Sequence, residues 1–332
     1  MVYIYKKIVG NKDYYYLRLS ERKGKRVISK DIAYLGSSID EVKKNLEKLS
    51  KYKDEIRKSY KKIHNFIEPN YYLEKAKKLK LKKDVFLKDK LEYVEACKLH
   101  FDKHFKKLDL LTQKEILKDF VIEFSFNTAS IEGNTINLEE ARNLLENGLT
   151  PKDKSLREIY DLQNTERVFF DIYNSKKEIN QEFIINLHKG LMANIDLRTG
   201  YRTTDIRVIK SNFDATPGSY VKTDMDLLLK WYNKNKKNLH PLTLATVFHH
   251  KFEKIHPFMD GNGRTGRMLF TYILLRNKYP PIIIHKKTRK DYLEALRKAD
   301  KSGLLEADVN NYFELVQFCA DELIKGYWNL FL

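Results

Sequence analysis

Cysteine is scarce in this chain, whose 332 residues include only Cys97 and Cys319. Two thiols exclude a scaffold held together by several disulfides, and they are too few for a zinc site built from cysteines. Long apolar runs are also absent, because no stretch reaches the about 18 residues that a membrane-spanning helix needs. Residues 1–7 carry charges and strand-like residues where a signal peptide would have its apolar core. We therefore expect a cytoplasmic protein with no membrane partner.

Acidic residues are fewer than basic ones: 45 Asp and Glu stand against 63 Lys and Arg, which gives a net charge of +18. Residues 1–100 hold 27 basic and 14 acidic residues, so most of the excess lies there. Such asymmetry indicates either a polyanionic partner or a lysine-rich solvated surface of the kind found in thermophilic proteins. Five tyrosines lie among these lysines and favour a nucleic-acid partner, unless they only pack a short sheet: Tyr3, Tyr5, Tyr14, Tyr15 and Tyr16.

Aromatic and β-branched residues predict a small antiparallel β-meander over residues 2–36, with turn residues at Gly10-Asn11 and Lys23-Gly24-Lys25. A charged helical stretch follows, and we expect Pro69 to break it. From residue 110 onward, three- and four-residue apolar spacing predicts helices almost throughout. The expected division is a basic meander plus helix at 1–66, a helical linker at 67–109, and a mainly α domain at 110–332.

Residues 201–220 interrupt the helical pattern. A β-flavoured piece from Asp205 to Ile209 precedes turn residues that include Pro217 and Gly218. We expect a short β-hairpin that forms a flap.

The chemistry is concentrated in one loop and helix start, which reads His256-Pro-Phe-Met-Asp260-Gly-Asn-Gly-Arg264-Thr-Gly-Arg267. Two glycines bracket an asparagine, so the backbone can turn sharply and expose amides at a helix N-terminus, which is an anion site. Arg264 and Arg267 lie three residues apart and can bind further phosphate oxygens. Asp260 is a natural ligand for a Mg²⁺ that bridges phosphates, and the near-neutral pKa typical of histidine suits His256 to act as a general base. The residues predict polyphosphate binding with deprotonation of an attacking group.

Three other interpretations of this region fail on context. Gly261, Gly263 and Gly266 fit the dinucleotide fingerprint, but a His-Pro loop precedes them and no acidic residue follows in 282–290. The Walker A pattern fails because Arg267-Met268 stands where Lys-Ser/Thr is required. A metal site at His249, His250, Glu253 and His256 lacks a metalloprotease spacing, and we expect His249 to pack in the core.

Residues 256–267 match the motif H-x-F-x-[D/E]-G-N-G-R-x-x-R of the Fic domain family at every defined position, and the resemblance covers about residues 110–330. It implies a Fic-type helical bundle with a β-hairpin flap. It also implies transfer of AMP from ATP to a Tyr, Thr or Ser hydroxyl of a target protein, or of the chain itself. The flap at 201–220 would then align the target segment by strand addition.

The same resemblance implies a role for each site residue. His256 would deprotonate the hydroxyl, and Asp260 would hold Mg²⁺. The α- and β-phosphates would be held by Asn262 and the amides around Gly261 and Gly263, with help from Arg264. Arg267 would bind the γ-phosphate. Tyr292 would line the adenine pocket, unless it is a core aromatic.

A second match concerns regulation. Thr128-Ala-Ser-Ile-Glu132-Gly133 fits the family's inhibitory pattern [S/T]-x-x-x-E-[G/N], on a predicted helix at about 112–133. The resemblance implies that Glu132 pairs with Arg267 and removes the partner of the γ-phosphate. The alternative is a helix end at Gly133 with Glu132 merely exposed.

Other functions remain compatible with the sequence. The same residues would serve removal of AMP from a modified protein, or transfer of UMP or phosphocholine. A function of another class is nucleic-acid-binding regulation through the basic N-terminal region. The helical surface is also compatible with a homodimer.

Overall fold

The computed structural model describes residues 1–10, 12–206 and 215–332. The chain divides into two compact units: residues 1–81, 95–100 and 332 form the first, and residues 82–94 and 101–331 form the second. The centre of the predicted flap, residues 207–214, lies outside the described residues, as does Asn11 in the first predicted turn. The described flanks of the flap, 201–206 and 215–217, contain no strand. The flap and the three-part domain division stay predictions.

The N-terminal meander is confirmed. Strands β1 (Val2–Val9), β2 (Lys12–Lys23) and β3 (Arg26–Gly36) form an antiparallel sheet in the order β1-β2-β3. Alternation along the strands gives the sheet one apolar face, which is buried together with residues of the helices that follow. The core that the sheet shares with these helices includes Val2, Ile4, Tyr15, Leu17, Leu35, Val42, Ile63 and Ile67.

Three helices follow the sheet: α1 (Ile39–Lys48), α2 (Lys53–Lys58) and α3 (Tyr60–Lys77). The predicted break at Pro69 is wrong, because α3 continues through it. Proline removes only one amide from the helix, and buried side chains on both sides of it, Ile67 and Leu73, hold the helix to its unit. In addition, the side-chain amide of Asn70 donates to the Phe66 carbonyl at 2.7 Å, within the disturbed turn.

The second unit is helical, and the predicted helices are confirmed. Helix α4 (Leu91–Lys103) contributes to both units. The remaining helices are α5 (Leu110–Ile131), α6 (Leu138–Asn147), α7 (Leu156–Tyr173), α8 (Gln181–Leu191), α9 (Val221–Asn235), α10 (Pro241–Ile255), α11 (Asn262–Arg276), α12 (Arg289–Ala299) and α13 (Val309–Leu330). Among the described residues, none of these helices is long and apolar enough to cross a bilayer.

Helices α10 and α11 form the centre of the second unit. Residues 242–252 of α10 and 264–274 of α11 are all buried. The motif loop connects these two helices, so both of its ends are fixed by packed core. The first two turns of α11 place Arg264 and Arg267 beside the loop.

Candidate active site

The motif loop is held in shape by its own residues. His256 ends α10 in a left-handed conformation with φ of 53°, and Gly261 adopts φ of 74° immediately before α11. Phe258 between them is fully buried. The side chain of Asn262 accepts a hydrogen bond from the Phe258 amide and donates one to the Phe258 carbonyl, both at 2.9 Å. The Asn262 side chain therefore clamps the loop.

The imidazole of His256 is held in the neutral form that a candidate base needs. Its Nδ1 lies 3.2 Å from the carbonyl oxygen of Glu253, which can only accept, so Nδ1 carries the proton and Nε2 of the neutral ring has the lone pair. Burial lowers the pKa of His256 and the charge of Arg202 lowers it further, outweighing the opposite effects of the Glu253 carbonyl, Glu132 and Asp260. The neutral ring is thus favoured at neutral pH.

An anionic group occupies the space above the start of α11. Glu132, the residue that ends α5, accepts hydrogen bonds from Arg267 Nη2 at 2.6 Å and from Arg264 Nε at 3.1 Å. A Cβ atom on Gly263 would lie 2.2 Å from Glu132 Oε1, so only glycine lets the carboxylate approach the helix this closely. The predicted ion pair between Glu132 and Arg267 is present, and its inhibitory role stays a prediction.

Arg267 is fixed from the same helix that supplies Glu132. Its Nε donates to the Thr128 hydroxyl at 2.6 Å, and its Nη2 donates to the Thr128 carbonyl at 3.0 Å. The Arg267 side chain is only 5% exposed. Thr128 and Glu132, the first and fifth residues of the Thr128–Gly133 pattern, therefore bind the same guanidinium, which explains their spacing of four residues on a helix.

A network of alternating charges extends from this contact. Arg264 is ion-paired with Asp161 of α7, and its Nη2 lies 3.6 Å from Asp260 Oδ1. Asp260 is in turn ion-paired with Arg157, one turn before Asp161 on α7. With Glu132 and Arg267, the network contains three carboxylates and three guanidiniums. Each buried charge has a partner of opposite sign, as burial requires.

Asp260 is the one candidate metal ligand that the motif supplies. Its Oδ1 accepts from the Gly261 amide at 2.6 Å. Burial opposes ionisation, but the hydrogen bond from Arg157 and the charges of Arg264 and Arg157 outweigh it and lower the pKa of Asp260. Over the residues the structure describes, three or more His, Cys, Asp or Glu side chains nowhere gather in a metal-binding group. An ionised single carboxylate beside an anion cradle fits Mg²⁺, which takes its other ligands from phosphates and water.

Residues 178–274 match the model of the Fic/DOC family. The chain contains a Fic domain. It is 31% identical to the protein adenylyltransferase Fic of Drosophila grimshawi over 220 residues, which cover 63% of this chain and 43% of that protein. It is 27% identical to the protein adenylyltransferase fic-1 of Caenorhabditis elegans over 229 residues, or 64% and 45% of the two chains. The chain thus spans less than half the length of these curated relatives.

Solved structures confirm the predicted helical bundle. A Fic domain containing signaling protein from Bacteroides thetaiotaomicron is 26% identical, with a TM-score of 0.63, and the match covers 69% of this chain and 93% of that one. A fragment of Fic-1 from Caenorhabditis elegans is 25% identical, with a TM-score of 0.59. The match covers 70% of this chain and 69% of that fragment.

Arg202 fastens the flanks of the predicted flap to the catalytic loop of the Fic domain. It is 4% exposed, and its guanidinium donates to carbonyl oxygens of Thr204, Thr216, Ile255 and His256. Its own amide donates to the Pro257 carbonyl at 2.9 Å. A buried guanidinium with four carbonyl acceptors sets the backbone at His256 and thereby the direction of the imidazole.

His188 supports the other end of the loop. Its Nε2 donates to the Asp260 carbonyl at 2.9 Å, and its ring stacks on Phe258 with the centroids 3.6 Å apart. Burial lowers the pKa of His188, so the ring is neutral with its lone pair on Nδ1. This residue fixes the backbone next to the candidate metal ligand.

The structure places Tyr292 in the core, the alternative that the sequence left open. Tyr292 is 2% exposed, and its hydroxyl is hydrogen-bonded to Nε2 of His249, which is itself fully buried, as the sequence predicted. The role of Tyr292 in an adenine pocket stays a prediction.

Sequence reasoning missed four residues of the site: Arg157, Asp161, His188 and Arg202. Asp161 had a usable signal, because it stands in the buried register of α7 beside Ile159 and Leu162. His188 had the same signal in the buried register of α8, whereas Arg157 and Arg202 had none, because their partners lie far along the chain.

We predict that Arg202→Lys destabilises the fold by about 2 kcal/mol or more, because one ammonium group cannot reach four carbonyls and those left buried lose their donor. Circular dichroism during thermal unfolding measures the effect. The control is Arg198→Lys, since the Arg198 side chain is 62% exposed and forms its ion pair with Asp196 at the surface. Equal unfolding temperatures for both variants would contradict a fastening role for Arg202.

Proposed function

We propose that the Fic domain is an autoinhibited protein adenylyltransferase that transfers AMP from ATP to a Tyr, Thr or Ser hydroxyl of a protein. The names of the two curated relatives support AMP as the group and protein as the acceptor. The observation that carries the proposal is the Glu132 carboxylate held by Arg264 and Arg267 above Gly263. An anion already binds where the glycine, the helix start and two guanidiniums meet.

The triphosphate takes the place of this carboxylate. When Glu132 leaves, Arg267 is available to the γ-phosphate and Arg264 to the neighbouring phosphates. The space above Gly263 lets an oxygen approach the backbone, and the amides at the start of α11 add their donors. Asp260 holds the Mg²⁺, which neutralises phosphate charge when it is bound.

The residues then perform an in-line transfer. Nε2 of His256 accepts the proton of the acceptor hydroxyl, and the oxygen forms a bond to the α-phosphorus. The bond between the α-phosphorus and the oxygen that bridges to the β-phosphate breaks, and pyrophosphate leaves. The domain contributes placement and charge stabilisation rather than a covalent intermediate. The hydrogen bonds at Nδ1 and from Arg202 keep the imidazole oriented for this proton transfer.

Inhibition follows from competition for one guanidinium. Arg267 Nη2 already donates to Thr128 and Glu132, so a γ-phosphate has to displace a charge-assisted hydrogen bond to bind it. While the carboxylate remains, ATP also meets a like charge in the site. Removing AMP from a modified protein would use the same residues, with Glu132 orienting a water. No observation favours that direction over transfer.

We predict that Glu132→Gly raises self-labelling roughly tenfold or more, because the mutation removes the competing carboxylate and frees Arg267. Intact mass spectrometry after incubation with ATP and Mg²⁺ measures the gain of one adenylyl group. The matched control is Glu115→Gly, an exposed glutamate on the same helix α5, which tests for an effect of glycine on the helix.

Two outcomes of this experiment count against the proposal. If Glu132→Gly and the unchanged chain gain the same label, Glu132 does not inhibit. If the added mass corresponds to uridylyl or phosphocholine when UTP or CDP-choline replaces ATP, and ATP gives none, the transferred group is not AMP.

We predict that His256→Ala abolishes labelling in the Glu132→Gly background, because the substitution removes the base that is proposed to receive the hydroxyl proton. In the same background, the midpoint of the acidic limb of the pH–rate profile should lie below pH 6.5, which is the usual pKa of histidine. Burial lowers the pKa of His256, and losing Glu132, which raises it, lowers it again. An acidic limb at or above the usual histidine value would argue against His256 as the base.

A further inference from the structure

The tip of the β2–β3 hairpin projects beyond the third strand. Strand β1 pairs with β2 over Lys12–Leu19, and Met1 extends this pairing to Ser20, whereas β2 and β3 remain paired to the Lys23–Arg26 turn. Among the residues that the structure describes, 21–30 therefore form a two-stranded ribbon with no third strand beside it, here called the basic ribbon. Every residue from Glu21 to Lys30 whose side chain is described is exposed.

The basic ribbon carries a strong positive charge. Its ten residues, Glu-Arg-Lys-Gly-Lys-Arg-Val-Ile-Ser-Lys, include five basic and one acidic residue. The strand register places Arg22 and Val27 on one face, and Arg26 on the other. Cationic residues therefore occur on both faces. Val27 and Ile28 at the tip are 67% and 51% exposed, although both are apolar.

We propose that the basic ribbon binds double-stranded DNA by entering the major groove. That groove is about 12 Å wide and admits a two-stranded β-ribbon. Charges on opposite faces meet the phosphates on the two walls of the groove, so Arg22 contacts one strand and Arg26 the other. The exposed Val27 lies on the face of Arg22 and the exposed Ile28 on the face of Arg26, so both faces also offer apolar contact to thymine methyl groups.

Charge complementarity supports DNA as the partner. The basic ribbon belongs to a stretch, residues 1–81, that holds 22 basic and 10 acidic residues. Duplex DNA is the polyanion with a regular groove of matching width. Duplex RNA does not fit, because its major groove is deep and too narrow for side chains to read.

The tyrosines of the sheet argue against a single-stranded partner. Stacking of unpaired bases needs free aromatic faces. The Tyr16 and Tyr34 rings already lie 5.3 Å apart, and the Arg18 guanidinium covers the Tyr5 ring at 3.5 Å from its centroid. These tyrosine rings thus already contact neighbours within the sheet, whereas the basic ribbon is an exposed charged surface that is available to a partner.

Fluorescence anisotropy of the full chain with a labelled DNA duplex of about two helical turns tests the proposal. The unchanged chain should bind with an affinity that falls steeply with salt. The double variant Arg22→Ala/Arg26→Ala should bind at least about tenfold more weakly, with a salt slope smaller by about 2. The matched control, Lys234→Ala/Lys237→Ala, removes two exposed charges from the second unit and should bind like the unchanged chain.

The remaining outcomes overturn the proposal. Equal losses in the two double variants would mean that only net charge matters. Tighter binding of a single strand or of duplex RNA with the same sequence would assign the surface to another partner. No binding to the duplex at physiological salt would exclude a DNA site. Circular dichroism during thermal unfolding verifies that each variant is folded, and self-labelling in the Glu132→Gly background is expected to be the same with and without the basic-ribbon substitutions.

Discussion

One ionic contact organises the Fic domain of this chain: the Glu132 carboxylate between Arg264 and Arg267. A buried guanidinium needs a partner, and each of these two has one at Glu132. The contact joins the end of α5 to the start of α11, and under the proposed function it competes with a γ-phosphate for Arg267. Inhibition in this scheme needs no change of fold, only the replacement of one anion by another.

The loop around this contact is organised before any ligand arrives. Asn262 closes it from within, Arg202 fixes the carbonyl of His256, and His188 fixes the carbonyl of Asp260. All three side chains bind backbone oxygens or amides, so the positions of the candidate base and metal ligand are set by a fixed main chain. Such preorganisation is what transfer of a phosphorus-centred group requires of a protein.

The two units divide the charge of the chain unequally. The second unit contains a network in which three carboxylates and three guanidiniums pair with one another. The first unit leaves most of its excess positive charge on the surface, and the basic ribbon presents part of it on an unsupported hairpin. A charge that is satisfied inside the fold stabilises structure, whereas an unsatisfied one is available to a partner.

The sequence by itself determined whatever depends on neighbours along the chain. Apolar spacing predicted the helices, aromatic and β-branched residues between turn residues predicted the meander, and the loop from His256 to Arg267 carried its chemistry in consecutive residues. The resemblance of Thr128–Gly133 to the inhibitory pattern also predicted the pair between Glu132 and Arg267. Tertiary structure alone decided that α3 runs through Pro69, that Tyr292 is buried, and that Asp161, His188 and Arg202 support the site. These supporting contacts join residues that lie 54 to 103 positions apart, and local patterns carry no record of such partners.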